Sequence, residues 1–369
     1  MDISIIVPLY KGKKYIPNIL HMIKENQNVL EENQIKREIE IIFVNDYPAE
    51  KIDNEDIPNN SNILIQLYKN MQNLGIHESR VTGLLKATGS YIVFLDQDDE
   101  LTPFYLWRQL KYIGESDAVL CNGFYRKNKQ IYRDEEHQKR TVSKNGYLKQ
   151  DNFIVSPGQV MIKRESIPDK WKKYILKENG SDDALLWILL LCEEKKFALN
   201  LYCDYIHEET SENTSLNFYD MKCSSEEILT VIKGNKLISD NNLLIFKEAL
   251  KNRINKHRSY AVLLENWSNI IKNIEELCNT NKYKKIAIYG YGVIGKKLLN
   301  DLENNGMEIA FIVDKAADSY KETCYKIYEP EYIPEKADLI ILTPLFAEKQ
   351  IKKDLDKYMS TVVSLNELL

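Results

Sequence analysis

The sequence predicts an α/β protein of several domains: a mixed, mainly parallel sheet with flanking helices, then a helical connector, then a small second α/β domain. Three observations predict it. The first third alternates near-continuous apolar runs with helix-like segments, as expected of strands covered by helices on both faces. From Ser224 to Leu277 apolar residues recur at three- and four-residue spacing. Near residue 284 a strand, a glycine-rich turn and a helix begin afresh. A chain of 369 residues has room for this at about one domain per 150 residues.

In order, ISIIVPL (3–9), EIIFVN (40–45), ILIQLY (63–68) and YIVFLD (91–96) read as strands. Lys13 to Leu30 and Ile76 to Ala87 read as the helices between them. The second closes at Thr88-Gly89, where glycine can take the left-handed conformation that ends helices. Thr102-Pro103 reads as a cap followed by proline at the first helical position, so a helix is expected from there. Strands are expected near 118–125 and 159–163, with a polar excursion from Arg126 to Asp151 between them. The boundaries are 1–215 for the first domain, 216–281 for the connector and 282–369 for the last. On the connector, Leu263, Leu264, Trp267, Ile270, Ile271, Ile274 and Leu277 form one buried stripe. Lys247, Lys251, Arg253, Lys256 and Arg258 form a solvated basic face.

A composition of 44% hydrophobic and 28% charged residues is that of a globular protein rather than a disordered or fibrous one. With 50 basic against 55 acidic residues the formal charge is −5, so no global basic field exists to condense on nucleic acid. The longest apolar stretch, Ala184 to Cys192, falls well short of the ~20 residues of a spanning helix. Met1 leads straight into an apolar strand with no basic region before it, so no signal peptide is read. Cys121, Cys192, Cys203, Cys223, Cys278 and Cys324 are scattered and form no CxxC pair, which fits reduced thiols. The expected location is cytoplasmic, and the basic connector face is compatible with peripheral association at the inner face of a membrane.

Ligands of open α/β sheets sit beyond the carboxyl ends of the strands. The strand ending at Val44 is followed by Asn45-Asp46, and the strand ending at Leu95 by Asp96-Gln97-Asp98-Asp99. Carboxylates crowded in this way repel one another unless a cation or hydrogen-bond donors offset them. Hard oxygen ligands suit Mg²⁺ or Mn²⁺, and Mg²⁺ commonly takes one or two carboxylates together with substrate phosphates. A metal–diphosphate site is therefore expected. The blander reading of the same residues is an acidic cap on the helix near Thr102.

SIIVPLYKGKKYI, IIFVNDYP, LGIHESRVTGLLKATGSYIVFLDQDD and GSDDALLW, in that order, resemble the family 2 glycosyltransferases of the GT-A fold over residues 1–215. The resemblance implies a role for each matching residue. Asp46 corresponds to the acid that recognises the base of a nucleotide-sugar, and Pro8 and Tyr10 to the segment beside that nucleotide. Arg80 corresponds to the donor-site arginine. Asp96 and Asp98 correspond to the DxD element, the first facing ribose or sugar and the second holding the metal on the diphosphate. Asp183 corresponds to the base that deprotonates the acceptor, with Asp182 in place of the usual glutamate, and the choice between these two acids stays open. His207 corresponds to a histidine near the metal or diphosphate. The sequence departs from the family pattern at Asn45, Tyr47-Pro48, Lys11 and Val81.

These residue types suit the chemistry. Displacing a nucleoside diphosphate builds charge on the leaving oxygen, which a cation can stabilise. An alcohol attacks poorly at neutral pH, and a carboxylate accepting its proton contributes ~10²–10⁴-fold. Direct displacement inverts the anomeric centre. The expected function is metal-dependent, inverting transfer from a UDP-linked donor to a hydroxyl of a glycan or lipid-linked glycan, in capsule or cell-surface polysaccharide assembly. Two other readings are a catalytically silent nucleotide or glycan sensor and a sugar-phosphate nucleotidyltransferase. The latter would want a glycine-rich loop after the first strand, where PLYKGKKY has a single glycine.

Near the carboxyl terminus, Gly290, Gly292 and Gly295 form GxGxxG between a predicted strand, Ile286 to Tyr289, and a helix. Asp314 follows about 20 residues on, the spacing of an acid that contacts a ribose hydroxyl. This predicts a phosphate site for a nucleotide or NAD(P) on one nucleotide-binding half. The segment resembles the small Rossmann-like domains beside bacterial sugar-modifying enzymes. Tyr332 and Lys336 have YxxxK spacing, but Pro334 between them argues against the single helix that a reductase pair needs.

Overall fold

The computed structural model describes residues 1–57, 63–125, 129–149, 153–208, 218–320, 325–334, 336–358 and 360–369. The chain divides into two compact units, Met1–Ile254 and Asn255–Leu369. The helical stretch 216–281 is thus shared between them.

The first unit opens with strands β1 (Ile3–Leu9), β2 (Ile39–Asn45), β3 (Ile63–Lys69) and β4 (Tyr91–Phe94), with helices α1 (Ile16–Glu32) and α2 (Ile76–Lys86) between them. Every residue of β1 and β2 is buried, which is why these runs are apolar without alternation. Then come β5 (Glu100–Leu101), α3 (Tyr105–Ile113), β6 (Ala118–Tyr125), β7 (Lys129–Gln130), α4 (Glu135–Thr141), α5 (Lys144–Leu148), β8 (Val160–Lys163), α6 (Asp169–Lys173), α7 (Asp182–Cys192) and β9 (Phe197–His207). Helices α8 (Phe218–Gly234) and α9 (Asp240–Glu265) follow.

The strands form one mixed sheet in the order β3-β2-β1-β4-β8-β6-β9-β5, with β7 on β6. Its first half, β3-β2-β1-β4, is parallel. Antiparallel β8 joins that half to β6, and β9 runs parallel to β6.

Two local expectations are corrected. Gly89 has no positive φ. Its missing side chain instead leaves room for β1, because a Cβ there would lie 2.5 Å from Ser4 Oγ and 2.7 Å from Ser4 N. Thr102 does not cap α3. Its hydroxyl donates to Asp204 Oδ1 at 2.8 Å, and the helix begins at Tyr105.

The second unit holds α10 (Trp267–Asn281), β10 (Ile286–Tyr289), α11 (Val293–Asn304), β11 (Ile309–Val313), β12 (Ile327–Tyr328), β13 (Leu339–Leu342), α12 (Glu348–Leu355) and β14 (Thr361–Ser364). Its strands form a second sheet, β12-β11-β10-β13-β14, parallel throughout. The order reverses beside β10, so the glycine loop after β10 lies at the carboxyl edge where such sheets take ligands. The stripe on α10 packs into this unit's core through Trp267, Ile270, Ile271 and Ile274. Among the described residues, Cys121, Cys192, Cys203, Cys223 and Cys278 are free thiols; Cys324 lies outside them. No described helix is long and apolar enough to cross a membrane.

Candidate active site

Parallel β1, β2 and β4 end at one edge of the sheet and present Pro8 and Tyr10, Asp46, and Asp96 there. Strand order reverses between β1 and β4, the position at which open α/β sheets take ligands. Pro8 is buried within β1, while Tyr10 is exposed and meets Tyr47 edge-on at 5.2 Å. The side chain of Gln97 pairs with the backbone of Tyr10, accepting from its N–H at 3.0 Å and donating to its carbonyl at 3.1 Å. Gly12 makes that possible, since a Cβ there would lie 2.2 Å from Gln97 Oε1.

Asp46 is spent largely on its own neighbourhood. Oδ1 accepts from Asn70 Nδ2 and Leu74 N, and Oδ2 from Gly75 N, all at 2.8 Å. A carboxylate offers about four lone-pair sites, so one remains on Oδ2. Asn45, the departure from the family pattern, forms an Asx turn by accepting from Tyr47 N at 2.9 Å.

Arg80 on α2 joins two parts of the site. Nη1 donates to Asp182 Oδ2 at 2.6 Å, and Nη2 donates to Asp96 Oδ1. One buried guanidinium therefore ties α2, the end of β4 and the start of α7. Asp182 is fixed from behind as well, its carbonyl accepting from Trp171 Nε1 at 2.8 Å. Asp183, one residue on, accepts from Ala184 N through Oδ1 at 2.6 Å. Ser181, just before this pair, is held by Ser224 at 2.9 Å and lies 3.3 Å from Ser225, both on α8. The first part of the expected connector is thus a support of the site, which its helical periodicity alone did not reveal.

Asp99, which the sequence did not single out within its acidic run, is the buried anchor of the cluster. Oδ2 accepts from Ser156 Oγ at 3.0 Å and from the Tyr205 hydroxyl. Oδ1 accepts from Glu208 N at 3.2 Å and faces His207 Nδ1 at 3.1 Å. Ser156 Oγ also lies 3.2 Å from Asp96 Oδ2. β5 pairs with β9 through Glu100 and Ile206, which brings His207 beside the acids.

Burial raises Asp98 to about 6, with Asp99 and Asp96 adding to the effect. Burial also raises Asp183 to about 7, helped by Asp182 and opposed by Arg80. Burial raises Asp96 against the pull of Arg80. For Arg80, burial works against the charge, but Asp182 and Asp96 more than offset it and hold it protonated. Burial likewise disfavours a charged His207, yet the hydrogen bond and charge of Asp99 outweigh it and raise its pKa.

Among the described residues, no group of three or more His, Cys, Asp and Glu side chains could hold a metal ion unaided. The donor set nevertheless suits a shared cation. Asp98 is a half-buried carboxylate crowded by Asp99 and Asp96, and His207 turns one ring nitrogen to a carboxylate, as metal-binding imidazoles do. The remaining ligands would come from a diphosphate.

In the second unit, Gly290 has φ 98°, and a Cβ on Gly295 would lie 1.8 Å from Gly290 O, so both glycines serve the turn itself. A Cβ on Gly292 would meet nothing within 4 Å. Asp314 accepts from Tyr291 N at 2.6 Å and Ala316 N at 2.7 Å, so its carboxylate ties the glycine loop to the end of β11.

Residues 4–169 match the family described as Glycosyl transferase family 2. That stretch lies wholly within the first unit and is similar to family 2 glycosyltransferases. Residues 282–362 match a family described as C2185-like, N-terminal. The chain is similar to an uncharacterized glycosyltransferase of Haemophilus influenzae, 33% identical over 127 residues, or 33% of this chain and 46% of the relative. The putative glycosyltransferase EpsH of Bacillus subtilis is 32% identical over 123 residues, covering 32% of this chain and 33% of its own. The minor teichoic acid biosynthesis protein GgaB of Bacillus subtilis is 24% identical over 306 residues, 77% of this chain and 31% of that protein. This chain thus spans less than half the length of these three relatives. The fold is shared with S. aureus TarS 1-349 in complex with UDP, at TM-score 0.52 and 18% identity over 72% of this chain and 75% of that one. The same protein in complex with UDP-GlcNAc gives 0.51 and 16% over 72% and 76%. The mixed sheet is accordingly of the GT-A type.

Proposed function

We propose that the first unit transfers a sugar from a UDP-linked donor to a hydroxyl of a glycan or lipid-linked glycan, inverting the anomeric centre, in cell-surface polysaccharide assembly. The observation that carries this reading is the pair of contacts made by Arg80, which ties the acid at the end of β4 to the acid pair at the start of α7. The carboxylates read here as donor-side and acceptor-side are thereby joined by one guanidinium in the unit that contains the stretch matched to family 2. The complex of S. aureus TarS 1-349 with UDP, on the same fold, agrees with the donor class.

In this reading Tyr10, Asp46 and Pro8 border the nucleotide, and Asp96 faces the ribose or sugar while Arg80 holds it in place. Asp98 and His207 would hold Mn²⁺ or Mg²⁺, which when bound neutralises charge on the leaving diphosphate. Asp183 is the base and Asp182 its positioning neighbour, because Asp182 already spends Oδ2 on Arg80. A carboxylate raised to about 7 accepts a hydroxyl proton far better than one of ordinary acidity.

The test is nucleoside diphosphate release from a panel of sugar donors, with Mn²⁺ or with EDTA, by the wild type and Asp98→Ala. Metal-dependent release that is lost in Asp98→Ala is the expected result. Absence of turnover with every donor would favour the sensor, and pyrophosphate-dependent nucleotide formation the nucleotidyltransferase.

A further inference from the structure

We infer that Lys11, at the turn after β1, contacts a phosphate of the nucleotide donor, beside the divalent cation rather than in its place. The inference rests on the reading of Tyr10 and Asp46 as the border of the nucleotide. Lys11 is exposed, and its Nζ lies 5.5 Å from the ring centroid of Tyr10 and 5.5 Å from that of Tyr47. Those two rings meet each other edge-on. Lys11 and Tyr47 are two of the positions at which the sequence departs from the family pattern, and the fold brings them together.

The backbone at Lys11 is held in a form that lysine does not favour. Its φ is 50°, in the left-handed region that glycine, and to a lesser degree asparagine, enters readily and other residues rarely adopt. Both neighbours fix it there. Tyr10 is clamped through its N–H and its carbonyl by the side chain of Gln97, and the Gly12 carbonyl accepts from Tyr15 N at 3.0 Å. Strain of this kind persists where the surrounding structure enforces it, and it clusters at ligand clamps.

Charge decides what such a residue is for. Lys13, two residues on, is engaged by Asp56 at 2.8 Å and by the Lys51 carbonyl at 3.1 Å. Lys11 meets the two rings instead, and among the described residues no acid pairs with its ammonium. Aromatic faces steady a cation without cancelling its charge or occupying its N–H donors. Position supplies the partner. On one side Tyr47 directly follows Asp46, which the donor reading sets at the base; on the other, Gln97 lies between Asp96 and Asp98, which it sets at the sugar and the diphosphate. A nucleotide reaching from Asp46 to Asp98 carries its ribose and first phosphate past the Tyr10–Lys11 turn. Arg80 is already engaged by Asp96 and Asp182, so Lys11 offers that oxyanion an unpaired cation and a charge-assisted hydrogen bond. A competing role, in which the ammonium only braces the two tyrosines, would act on base and phosphate alike.

The experiment titrates the full chain, at saturating Mn²⁺, with UDP and with uridine, and heat of binding is the readout. Lys11→Asn suits the left-handed backbone but removes the charge. It is expected to weaken UDP by about tenfold and uridine by less than about twofold, with a melting temperature no lower than that of the wild type. Lys11→Arg, which keeps the charge, is expected to retain most of the UDP affinity, and the part of that affinity that depends on Lys11 should shrink as salt is raised. Lys11→Met, which keeps the length of the stem without the charge, stands in should the asparagine variant fail to fold. UDP bound as tightly by the uncharged variant as by the wild type would overturn the inference, and so would an equal loss for UDP and uridine, which would assign Lys11 to the base or to the rings. Failure of UDP to bind the wild type would instead strike the donor reading, and this inference with it.

Discussion

Arg80 and Asp182, far apart in the chain, meet in a buried ion pair with Nη1 2.6 Å from Oδ2 and each side chain 4% exposed. Breaking a buried pair by removing one partner leaves an uncompensated charge and costs about 3–5 kcal/mol. Asp182→Ala is therefore expected to lower unfolding stability by that order, read from the denaturant midpoint. Arg80→Ala should cost at least as much, because it strands Asp96 as well as Asp182.

With Asp183 as the proposed base, its proton affinity sets the pH dependence of turnover. A general base works deprotonated, and Asp183 is raised to about 7. Turnover limited by acceptor attack should fall about tenfold per pH unit below that value and level off above it. A rate profile from about pH 5.5 to 8.5 reads this directly, and a flat profile would remove Asp183 from the role.

The same shift carries a stability consequence of opposite sign. As pH rises from the ordinary aspartate value of 3.8 towards 7, the folded state keeps a proton that the unfolded chain has released. This group therefore costs stability as pH rises through that window. Asp183→Asn removes the cost and should raise the melting temperature at pH 7, as read by calorimetry.

Glu40 behaves the other way. It is fully buried and accepts from Ser4 Oγ at 2.6 Å, Thr88 N at 2.7 Å, Thr88 Oγ1 at 2.9 Å and Gln66 Nε2 at 2.9 Å. Burial raises its pKa, but these hydrogen bonds outweigh burial and hold it below 4.5. Its contribution is present above pH 4.5 and is lost as pH falls through the lowered folded value. Glu40→Gln should cost about 1–3 kcal/mol near neutrality and flatten the acid limb of the unfolding profile.

In the second unit two of the loop glycines should separate cleanly. Gly295→Ala puts a methyl 1.8 Å from Gly290 O and should destabilise this unit strongly, whereas Gly292→Ala, facing open space, should leave its melting temperature within about 0.5 kcal/mol equivalent. Equal destabilisation by both would contradict this division.

The strands were legible because β1 and β2 are buried at every position and so carry uninterrupted apolar runs. The acids were legible as a run, but their division of labour was not. Asp98 and Asp99 are adjacent and chemically identical, and only the fold leaves one half-buried and turns the other onto Tyr205 and His207. By local pattern Gly89 and Thr102 end and start helices, yet each answers to a distant partner, Ser4 and Asp204. Helical periodicity likewise marked α8 and α9 as helices without revealing that Ser224 reaches Ser181 or that Arg253 turns inward. Contacts between residues far apart in sequence leave no local periodic signal.

The most direct test of the central claim compares Asp183→Asn with wild type in two measurements on the same sample: UDP affinity with Mn²⁺, and the rate of sugar transfer. Unchanged UDP affinity with turnover lowered by ~10²–10⁴-fold is the expected result. Turnover within a few-fold of wild type would contradict the assignment of Asp183 and the mechanism built on it.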